Sequence, residues 1–512
     1  MLMKEVRYLF FAVLILLAYM HIGTGLYSDD YVFLVDVPNW TLSSLEILWS
    51  SPVYYLNIPF FSYYFIQFYL FENIFILYDL VKILMLFLSI VLVYFFLKDY
   101  MSEHKAALGS MLFILYPIHA ATNYCPINHY MVITASLVMY AHALINQERY
   151  YSGFLMGILA SFTSYASPPF FFGLSVIFFI EKKYKKFTFF VLPQLAYICY
   201  FYIMKPIIGV KTLRAEHISD PIKLLKLFVV QVATGLDAGV GPSFFLKLYY
   251  SIINLSLFSI VIGCIIIYLF YRFVEIKKEP ISIGLLCGVV AVIPLSFGMF
   301  SLTGAYPQIV LGLGSRVTTY ISLASSFFIM ILFMQNKRNA TIVFAIFMFS
   351  ILGISDHWKS WHQHQLSVIE QIKNNKEIAE HSPDIPLYVS GNQFSQLGPL
   401  SNIEFLSGNW TVSSVLQYAK NRPYKSYTLN KRIHYKDGYM VDRKYNLNVK
   451  IEDHIMVYDS EKDKIFKIPK NEINEYISTL PSYNRHWAQM LGKEHWIRRI
   501  ALFLTPRLDY LL

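Results

Sequence analysis

The chain opens with the apolar stretch RYLFFAVLILLAYMHIGTG at residues 7–25, and LYSDDY follows at residues 26–31. The first stretch is close to the ~20 residues that a helix needs to cross the ~30 Å hydrocarbon core of a bilayer. Two adjacent carboxylates, Asp29 and Asp30, therefore lie where the predicted helix leaves the membrane. No lysine or arginine occurs between Tyr8 and Val81 to neutralise them. This pattern indicates a membrane scaffold around an acidic corner.

The composition of the whole chain is typical of a polytopic membrane protein. Of the 512 residues, 56% are hydrophobic and 15% are charged, which is less charge than a soluble protein of this size carries. The net charge of +10 comes from short clusters of lysine and arginine between apolar segments. Such clusters mark the inner loops of membrane proteins and attract anionic lipid headgroups. We therefore expect membrane lipids, and not nucleic acid, as partners of these cations. The four cysteines show no spacing typical of disulfide frameworks or metal sites.

The apolar runs predict a mainly α fold with about eleven transmembrane helices, an uncleaved N-terminus inside and the C-terminus outside. With this assignment, each short inner loop is basic, as the positive-inside rule requires. An amphipathic helix at residues 41–49 and an aromatic segment at residues 52–70 are expected on the membrane surface. Residues 205–246 are expected to form an outer loop, although they include five cations. The predicted spans are residues 7–25, 76–97, 106–121, 130–145, 153–165, 170–180, 187–204, 249–271, 281–300, 317–334 and 341–354.

The composition becomes polar, with charges of both signs, after residue 355. We predict a transmembrane domain at residues 1–355, with its first outer loop at residues 26–75, and an extracytoplasmic domain at residues 356–512. The second domain is expected to be small and α+β, with one helix and three strands at residues 358–379, 386–390, 454–458 and 465–468. Its tail, residues 487–512, is either an amphipathic helix on the membrane or a packing helix of the domain.

The acidic pair is the first candidate site. Acidic pairs in outer loops are often solvated surface features, but Asp29 and Asp30 lie at membrane depth among Tyr27, Tyr31 and Phe33. Two close carboxylates beside a wall of low dielectric constant raise the pKa of one member. A carboxylate with a raised pKa is suited to act as a general base. The pair also offers oxygen ligands for Mg²⁺ or Mn²⁺, and the sequence leaves the need for a metal open.

Further motifs resemble those of the GT-C superfamily, whose members are multi-spanning glycosyltransferases that use polyprenyl-phosphate sugars. Tyr-Pro-Ile-His at residues 116–119, followed by Asn128 and His129, is similar to the Pro-x-His turn of some members. Ser-Arg-Val-Thr-Thr-Tyr at residues 315–320 resembles their late Arg-x-x-x-Tyr element. The order of a first helix, an outer loop opening with Asp-Asp and an outer C-terminal domain also suits the family. The chain departs from it before Pro52, where many members carry a basic or histidine residue and this sequence has serines.

The resemblance implies an inverting transfer of a sugar from a polyprenyl-phosphate donor. An acceptor hydroxyl would attack the anomeric carbon while Asp29 or Asp30 takes its proton. The departing phosphate needs positive charge rather than a second carboxylic acid. Arg316 is the first candidate to bind the phosphate, because an arginine can form two parallel hydrogen bonds with it. Lys211 and Arg214 are second candidates, although a solvated or lipid-facing position is the plainer interpretation for both.

Other polar residues are expected near the outer ends of the helices. Tyr31, His119 and His129 are candidate substrate-binding residues, since a histidine there can orient a hydroxyl or bind a phosphate. The plainer interpretation is that each histidine satisfies a helix end. Asp79 and Lys82 are expected to form an ion pair at the outer start of the second span.

The resemblance places the reaction on the outer face of a membrane, which we expect to be a bacterial cytoplasmic membrane. The acceptor would be a cell-envelope glycan, a glycolipid or an exported protein. An envelope polysaccharide polymerase or ligase is an alternative, and the cations at residues 205–246 keep it open. A lipid or glycan transporter without catalysis is a second alternative. Transporters typically show intramembrane charges and two related halves, and neither is visible in this sequence.

Overall fold

The computed structural model describes residues 4–37, 56–207, 220–276, 279–280, 282–303, 306–333, 335–442 and 447–505. The predicted surface helix at residues 41–49 lies outside these ranges. The described chain is helical up to residue 380 and contains both helices and strands after it.

Apolar helices dominate the part of the chain before residue 355. Among the described residues, six helical segments are long and apolar enough to cross a membrane, which supports a membrane protein. They are Phe75–Leu97, Tyr184–Met204, Pro221–Ile253, Ile283–Leu302, Leu313–Phe333 and Lys337–Asn374. Val6–His21, Ile58–Phe71, Pro168–Ile180 and Leu257–Phe273 are apolar but shorter. The total of eleven spans stays a prediction.

The helices of this part are connected mostly by short turns. In chain order they are α1 (Lys4–His21), α2 (Asp30–Asp36), α3 (Ile58–Phe71), α4 (Phe75–Leu97), α5 (Glu103–Ile114), α6 (Ala121–Tyr124), α7 (Tyr130–Asn146), α8 (Tyr150–Thr163), α9 (Pro168–Ile180), α10 (Tyr184–Ile207), α11 (Pro221–Val240), α12 (Pro242–Ile253), α13 (Leu257–Phe273), α14 (Ile283–Thr303), α15 (Thr319–Phe333) and α16 (Lys337–Asn374). Helices α9 and α14 approach closely at Gly173, where a Cβ would lie 2.9 Å from the Cα of Val292. Small residues at such contacts are typical of membrane helix packing.

The predicted span at residues 106–121 is interrupted in the structure. Helix α5 ends at Ile114, and the chain continues through 3₁₀ turns at Pro117–His119 and Pro126–Asn128, with the short α6 between them. Each 3₁₀ turn begins with a proline, which has no N–H to continue an α-helical hydrogen-bond pattern. The result is a buried irregular segment between α5 and α7.

The segment at residues 205–246 was predicted to be an outer loop. From residue 221 onward it forms helices α11 and α12. Asp220 caps α11, because its side chain accepts a hydrogen bond of 3.0 Å from the Lys223 amide, and Pro221 follows at the first helical position. Gly241 separates α11 from α12. Its cations made the segment resemble a loop, but the two described ones after residue 220, Lys223 and Lys226, lie on helix α11.

Helix α16 continues without a break across the predicted domain boundary at residue 355. Its 38 residues contain no proline, so no residue forces the backbone to leave the helix. Trp358 lies just past the boundary and is buried between the rings of Tyr27 at 4.5 Å and Tyr124 at 5.1 Å. Ser355 donates a hydrogen bond of 2.7 Å to the carbonyl of Met20. One helix therefore contributes both to the apolar bundle and to the C-terminal region.

The described residues of the C-terminal region form three small sheets. The strands are β1 (Leu387–Ser390), β2 (Phe394–Leu397), β3 (Leu400–Glu404), β4 (Ser426–Thr428), β5 (Ile433–Lys436), β6 (Tyr439–Asp442), β7 (Leu447–Lys450), β8 (His454–Asp459) and β9 (Lys464–Pro469). The largest sheet has the order β4-β1-β8-β9, and β1 runs parallel to both β4 and β8. The predicted strands at 386–390, 454–458 and 465–468 are confirmed, and the last two pair antiparallel.

Helices cover the sheets and complete the chain. They are α17 (Lys376–Glu380), α18 (Asn409–Lys420), α19 (Ile473–Thr479), α20 (Trp487–Met490) and α21 (Trp496–Leu504). Helix α18 follows β3 and packs against α2 and α16. The start of α18 therefore lies above the acidic corner.

Candidate active site

A sharp turn after α1 directs the chain toward the acidic pair. Gly23 and Gly25 have φ angles of +89° and +56°, a region that L-residues with a Cβ rarely adopt. A Cβ at Gly25 would also overlap the imidazole ring of His362. Glycine at position 25 is therefore required both by the backbone conformation and by the contact with α16.

A buried ion pair on α4 holds this turn in place. Asp79 accepts hydrogen bonds from the amides of Gly23 and Gly25 at 2.8 and 2.9 Å and from the Thr24 hydroxyl at 3.0 Å. Lys82 donates to Asp79 and to the Thr24 hydroxyl, both at 3.0 Å, and to the carbonyl of Gly25. Both side chains are buried. The predicted pair is confirmed, and its additional hydrogen bonds to the turn satisfy its polar groups.

Asp30 is a fully buried carboxylate at the start of α2. Its Oδ1 accepts hydrogen bonds from the Tyr64 hydroxyl at 2.8 Å and the Ile127 amide at 3.2 Å. Its Oδ2 accepts from the Tyr27 amide at 3.1 Å and the Cys125 thiol at 3.5 Å. Burial raises the pKa of Asp30 to about 6, although the hydrogen bonds from Tyr64 and Tyr27 favour its ionised form. Asp30 thus joins α2, α3 and the segment before α7.

Asp29 has a different environment from its neighbour. Its side chain is partly exposed and makes no capping hydrogen bond to α2, although it occupies the N-cap position. Its Oδ1 accepts a hydrogen bond of 2.6 Å from the indole Nε1 of Trp410 on α18. Partial burial raises the pKa of Asp29, and the hydrogen bond from Trp410 opposes the increase. Asp29 is therefore the member of the pair that an incoming molecule can reach.

Arg316 lies close enough to Asp29 for its charge to act on that carboxylate. Its guanidinium donates a hydrogen bond of 3.0 Å to the Asn128 side chain and lies 4.8 Å from the centre of the Tyr306 ring. The positive charge of Arg316 lowers the pKa of Asp29 and so favours its ionised form. The hydroxyls of Tyr130 and Tyr165, 3.3 Å apart, lie close to the same guanidinium. Asp29, Arg316, Tyr130 and Tyr306 are half-buried and Tyr165 is exposed, and we refer to these five residues as the opening.

Two segments that are distant in the sequence fix the position of Arg316. The Ser315 hydroxyl accepts a hydrogen bond of 3.1 Å from the amide of Ala121, and the Thr318 hydroxyl donates one of 3.0 Å to the carbonyl of Ile118. The 3₁₀ turn at Leu313–Thr318 therefore packs directly on the irregular segment between α5 and α7. The motifs at residues 116–119 and 315–320 meet at this contact.

The other predicted site residues lie outside the opening or outside the described residues. His119 is buried, with Nδ1 2.6 Å from the Thr122 hydroxyl and Nε2 2.8 Å from the carbonyl of Phe113. It therefore stabilises the irregular segment that follows α5. Tyr31 is buried between the rings of Phe405 and Tyr418. His129 is also buried. Substrate binding by these three residues stays a prediction, and Lys211 and Arg214 are not among the described residues.

No sequence pattern points to Trp410 or to the tyrosines of the opening. Trp410 lies 381 positions after the carboxylate that it contacts, and no spacing rule links them. Tyr130, Tyr165 and Tyr306 belong to a chain with 40 tyrosines, so none of them is distinctive by type.

The acidic pair does not form a set of metal ligands in this geometry. Both oxygens of Asp30 accept hydrogen bonds from N–H, O–H and S–H groups, and Trp410 directs an N–H at Asp29. Mg²⁺ and Mn²⁺ bind to oxygen lone pairs. On these two carboxylates, hydrogen-bond donors occupy lone pairs that a metal ion would need. No group of three or more histidine, cysteine, aspartate or glutamate residues suited to a metal occurs in the described ranges. We therefore derive no step through a divalent cation.

Comparison of the chain with protein-family models, curated proteins and solved structures finds no match.

Proposed function

We propose that the protein is an integral membrane glycosyltransferase that moves a sugar from a polyprenyl-phosphate donor to an acceptor hydroxyl on the outer face of the membrane. The observation that supports this most directly is the proximity of a half-buried carboxylate, Asp29, to Arg316 and to the tyrosines around it. A base and a cation close to each other suit a reaction that removes a proton from one group and releases a phosphate from another.

In the proposed reaction, the acceptor oxygen forms a bond to the anomeric carbon as the bond from that carbon to the phosphate oxygen breaks. Asp29 accepts the hydroxyl proton. The electron pair of the broken bond leaves with the phosphate, whose added negative charge Arg316 stabilises. Attack from the side opposite the phosphate inverts the configuration. Asp30 takes no part in proton transfer, because its oxygens already accept four hydrogen bonds; it positions Asp29 at the start of α2.

The apolar bundle supplies the environment that such a donor requires. Exposed apolar side chains on the helices, such as Leu84 and Leu88 on α4, face the surroundings of the bundle, where the polyprenyl chain would lie. About eleven spans with the C-terminal region outside would place the opening at the outer surface of a bacterial cytoplasmic membrane. The acceptor would be an envelope glycan, a glycolipid or an exported protein, and it would approach beneath α18.

The polymerase or ligase alternative depended on the cations at residues 205–246, and the described ones do not favour it. Lys226 lies 4.6 Å from the ring centre of Phe503 on α21, so it contacts the C-terminal tail. Lys223 lies in the first turn of the same helix.

The test is sugar transfer by the purified protein in detergent, with a panel of polyprenyl-phosphate sugars and crude envelope acceptors. Asp29→Asn should lower kcat by about 10²–10⁴-fold, the usual contribution of a general base. Asp36→Asn is the matched control, because Asp36 is an exposed carboxylate at the other end of α2, and it should transfer at the wild-type rate. If the wild-type protein transfers sugar and Asp29→Asn transfers it at the same rate, the assignment of Asp29 as the base is refuted.

A further inference from the structure

The C-terminal region contains a cavity that the proposed reaction does not use. Its volume is about 330 Å³. Its charged lining consists of five cations and one acid among the described residues: Lys431, Arg432, Arg485, Lys493, Arg498 and Glu404. A concave surface with such an excess of one sign concentrates ligands of the opposite charge.

Part of this positive charge is neutralised within the protein, and part is not. Arg432 forms two hydrogen bonds with Asp442 at 2.9 and 3.1 Å, and Arg485 pairs with Glu404 at 2.9 Å. Lys431 is exposed, and its ammonium donates to a serine hydroxyl rather than to a carboxylate. Lys493 is also exposed at the rim. The cavity therefore keeps a net positive charge when both internal pairs are counted.

The neutral lining has the features of a carbohydrate site. The rings of Phe394 and Tyr483 lie 4.9 Å apart on one side of the cavity and offer an aromatic surface. Side-chain amides and hydroxyls, including those of Asn430 and Ser482, line the remainder. Sugars expose C–H groups on their faces and hydroxyls on their edges, so a wall of this kind matches both. Cations add the means to bind phosphate or carboxylate groups on the sugar.

The cavity is connected to the acidic corner through a short stretch of chain. Glu404 ends β3 and lines the cavity, and the ring of the next residue, Phe405, lies 5.9 Å from that of Tyr31. Trp410 is the second residue of the following helix, α18, and donates its hydrogen bond to Asp29. On the opposite side, Asn402 of β3 accepts a hydrogen bond of 2.9 Å from the amide of Gly312, just before the turn that carries Arg316.

We propose that this cavity binds an anionic glycan through phosphate or carboxylate groups and presents it as the acceptor to Asp29. The binding of the glycan stands on the cavity alone, whereas its role as acceptor rests on the proposed glycosyltransferase function. A concave wall with paired aromatic rings suits a sugar chain better than the flat array of headgroups on a bilayer. In this proposal, the C-terminal region selects negatively charged acceptors.

The experiment measures the binding of fluorescently labelled oligosaccharides to the full chain in neutral detergent by anisotropy. The probes are a phosphorylated mannopentaose, an oligoglucuronate and unmodified mannopentaose. The test variant is Lys431→Gln with Lys493→Gln, and the matched control is Lys450→Gln with Lys467→Gln, two exposed lysines of the same region that do not line the cavity. All four positions are exposed, so the variants should fold.

We expect the cavity variant to bind at least one anionic probe about tenfold more weakly, as the loss of two solvent-exposed charge contacts predicts, while the control variant binds normally. Equal binding by both variants, or equal binding of neutral and anionic probes, would overturn the proposal. Phosphatidylglycerol vesicles form the last arm, and a cavity variant that loses only vesicle binding would identify a lipid site instead. Normal glycan binding without any sugar transfer would contradict the proposed enzyme and leave the glycan site standing.

Discussion

Replacing Lys82 with methionine should destabilise the protein by about 3–5 kcal/mol, the usual cost of leaving a buried charge without its partner. The Lys82 and Asp79 side chains are both buried, so solvent cannot compensate the remaining carboxylate. Methionine retains the apolar stem of the lysine but removes its hydrogen bonds to Asp79, Thr24 and Gly25. The turn that leads to Asp29 loses its fixed position at the same time.

A double variant separates the cost of the unpaired charge from the cost of a simple packing defect. Asp79→Asn combined with Lys82→Met removes both charges while the amide oxygen still accepts from the turn. We therefore expect the double variant to be more stable than Lys82→Met alone by about 1–2 kcal/mol, because the unpaired charge is the larger cost. Lys98→Met at the end of the same helix is the control. Within the described parts of the chain, the Lys98 ammonium makes cation–π contacts with Tyr94 and Phe95, which are worth about 1 kcal/mol or less at such a site.

The assay is reversible unfolding by SDS in mixed micelles, followed by tryptophan fluorescence, with the free energy of unfolding compared among the four proteins. A Lys82→Met cost no larger than that of Lys98→Met would refute the reasoning, since the ion pair would then contribute no more than a surface contact. A double variant less stable than Lys82→Met would show that the hydrogen bonds, and not the charges, hold the turn.

Three further predictions address the opening and the turn before it. Trp410→Phe removes a hydrogen bond to the ionised carboxylate of Asp29 and so raises the pKa of Asp29. Because the ionised carboxylate is the base, the acidic limb of the profile of transfer rate against pH should move to higher pH. Gly25→Ala should cost at least about 1–3 kcal/mol of unfolding free energy because of its positive φ, whereas Gly298→Ala, which has open space, should be tolerated. Arg316→Lys should lower kcat by about 10²-fold or more, and Arg316→Gln should lower kcat more than Arg316→Lys does. Equal kcat values for the two variants would exclude a role of the positive charge.

Local patterns in the sequence were sufficient for the elements whose cause is local. The apolar helix at α1, the strands at β1, β8 and β9, and the ion pair on α4 follow from hydropathy, alternation and i,i+3 spacing. The same kind of pattern failed at residues 106–121, where prolines interrupt an apolar run. It also failed after residue 220, where cations on an amphipathic helix resembled a loop.

The sequence by itself determined that this is a membrane protein with an acidic pair at the end of its first helix, because apolar length and charge position are properties of neighbouring residues. It could not distinguish Asp29 from Asp30, which are the same residue type side by side. Only the tertiary structure separated them: donors from α3 and from the segment before α7 enclose Asp30, while Trp410 and Arg316 come from distant parts of the chain to surround Asp29. The environment of a carboxylate depends on which segments pack around it, and that packing is decided by contacts far apart in the sequence.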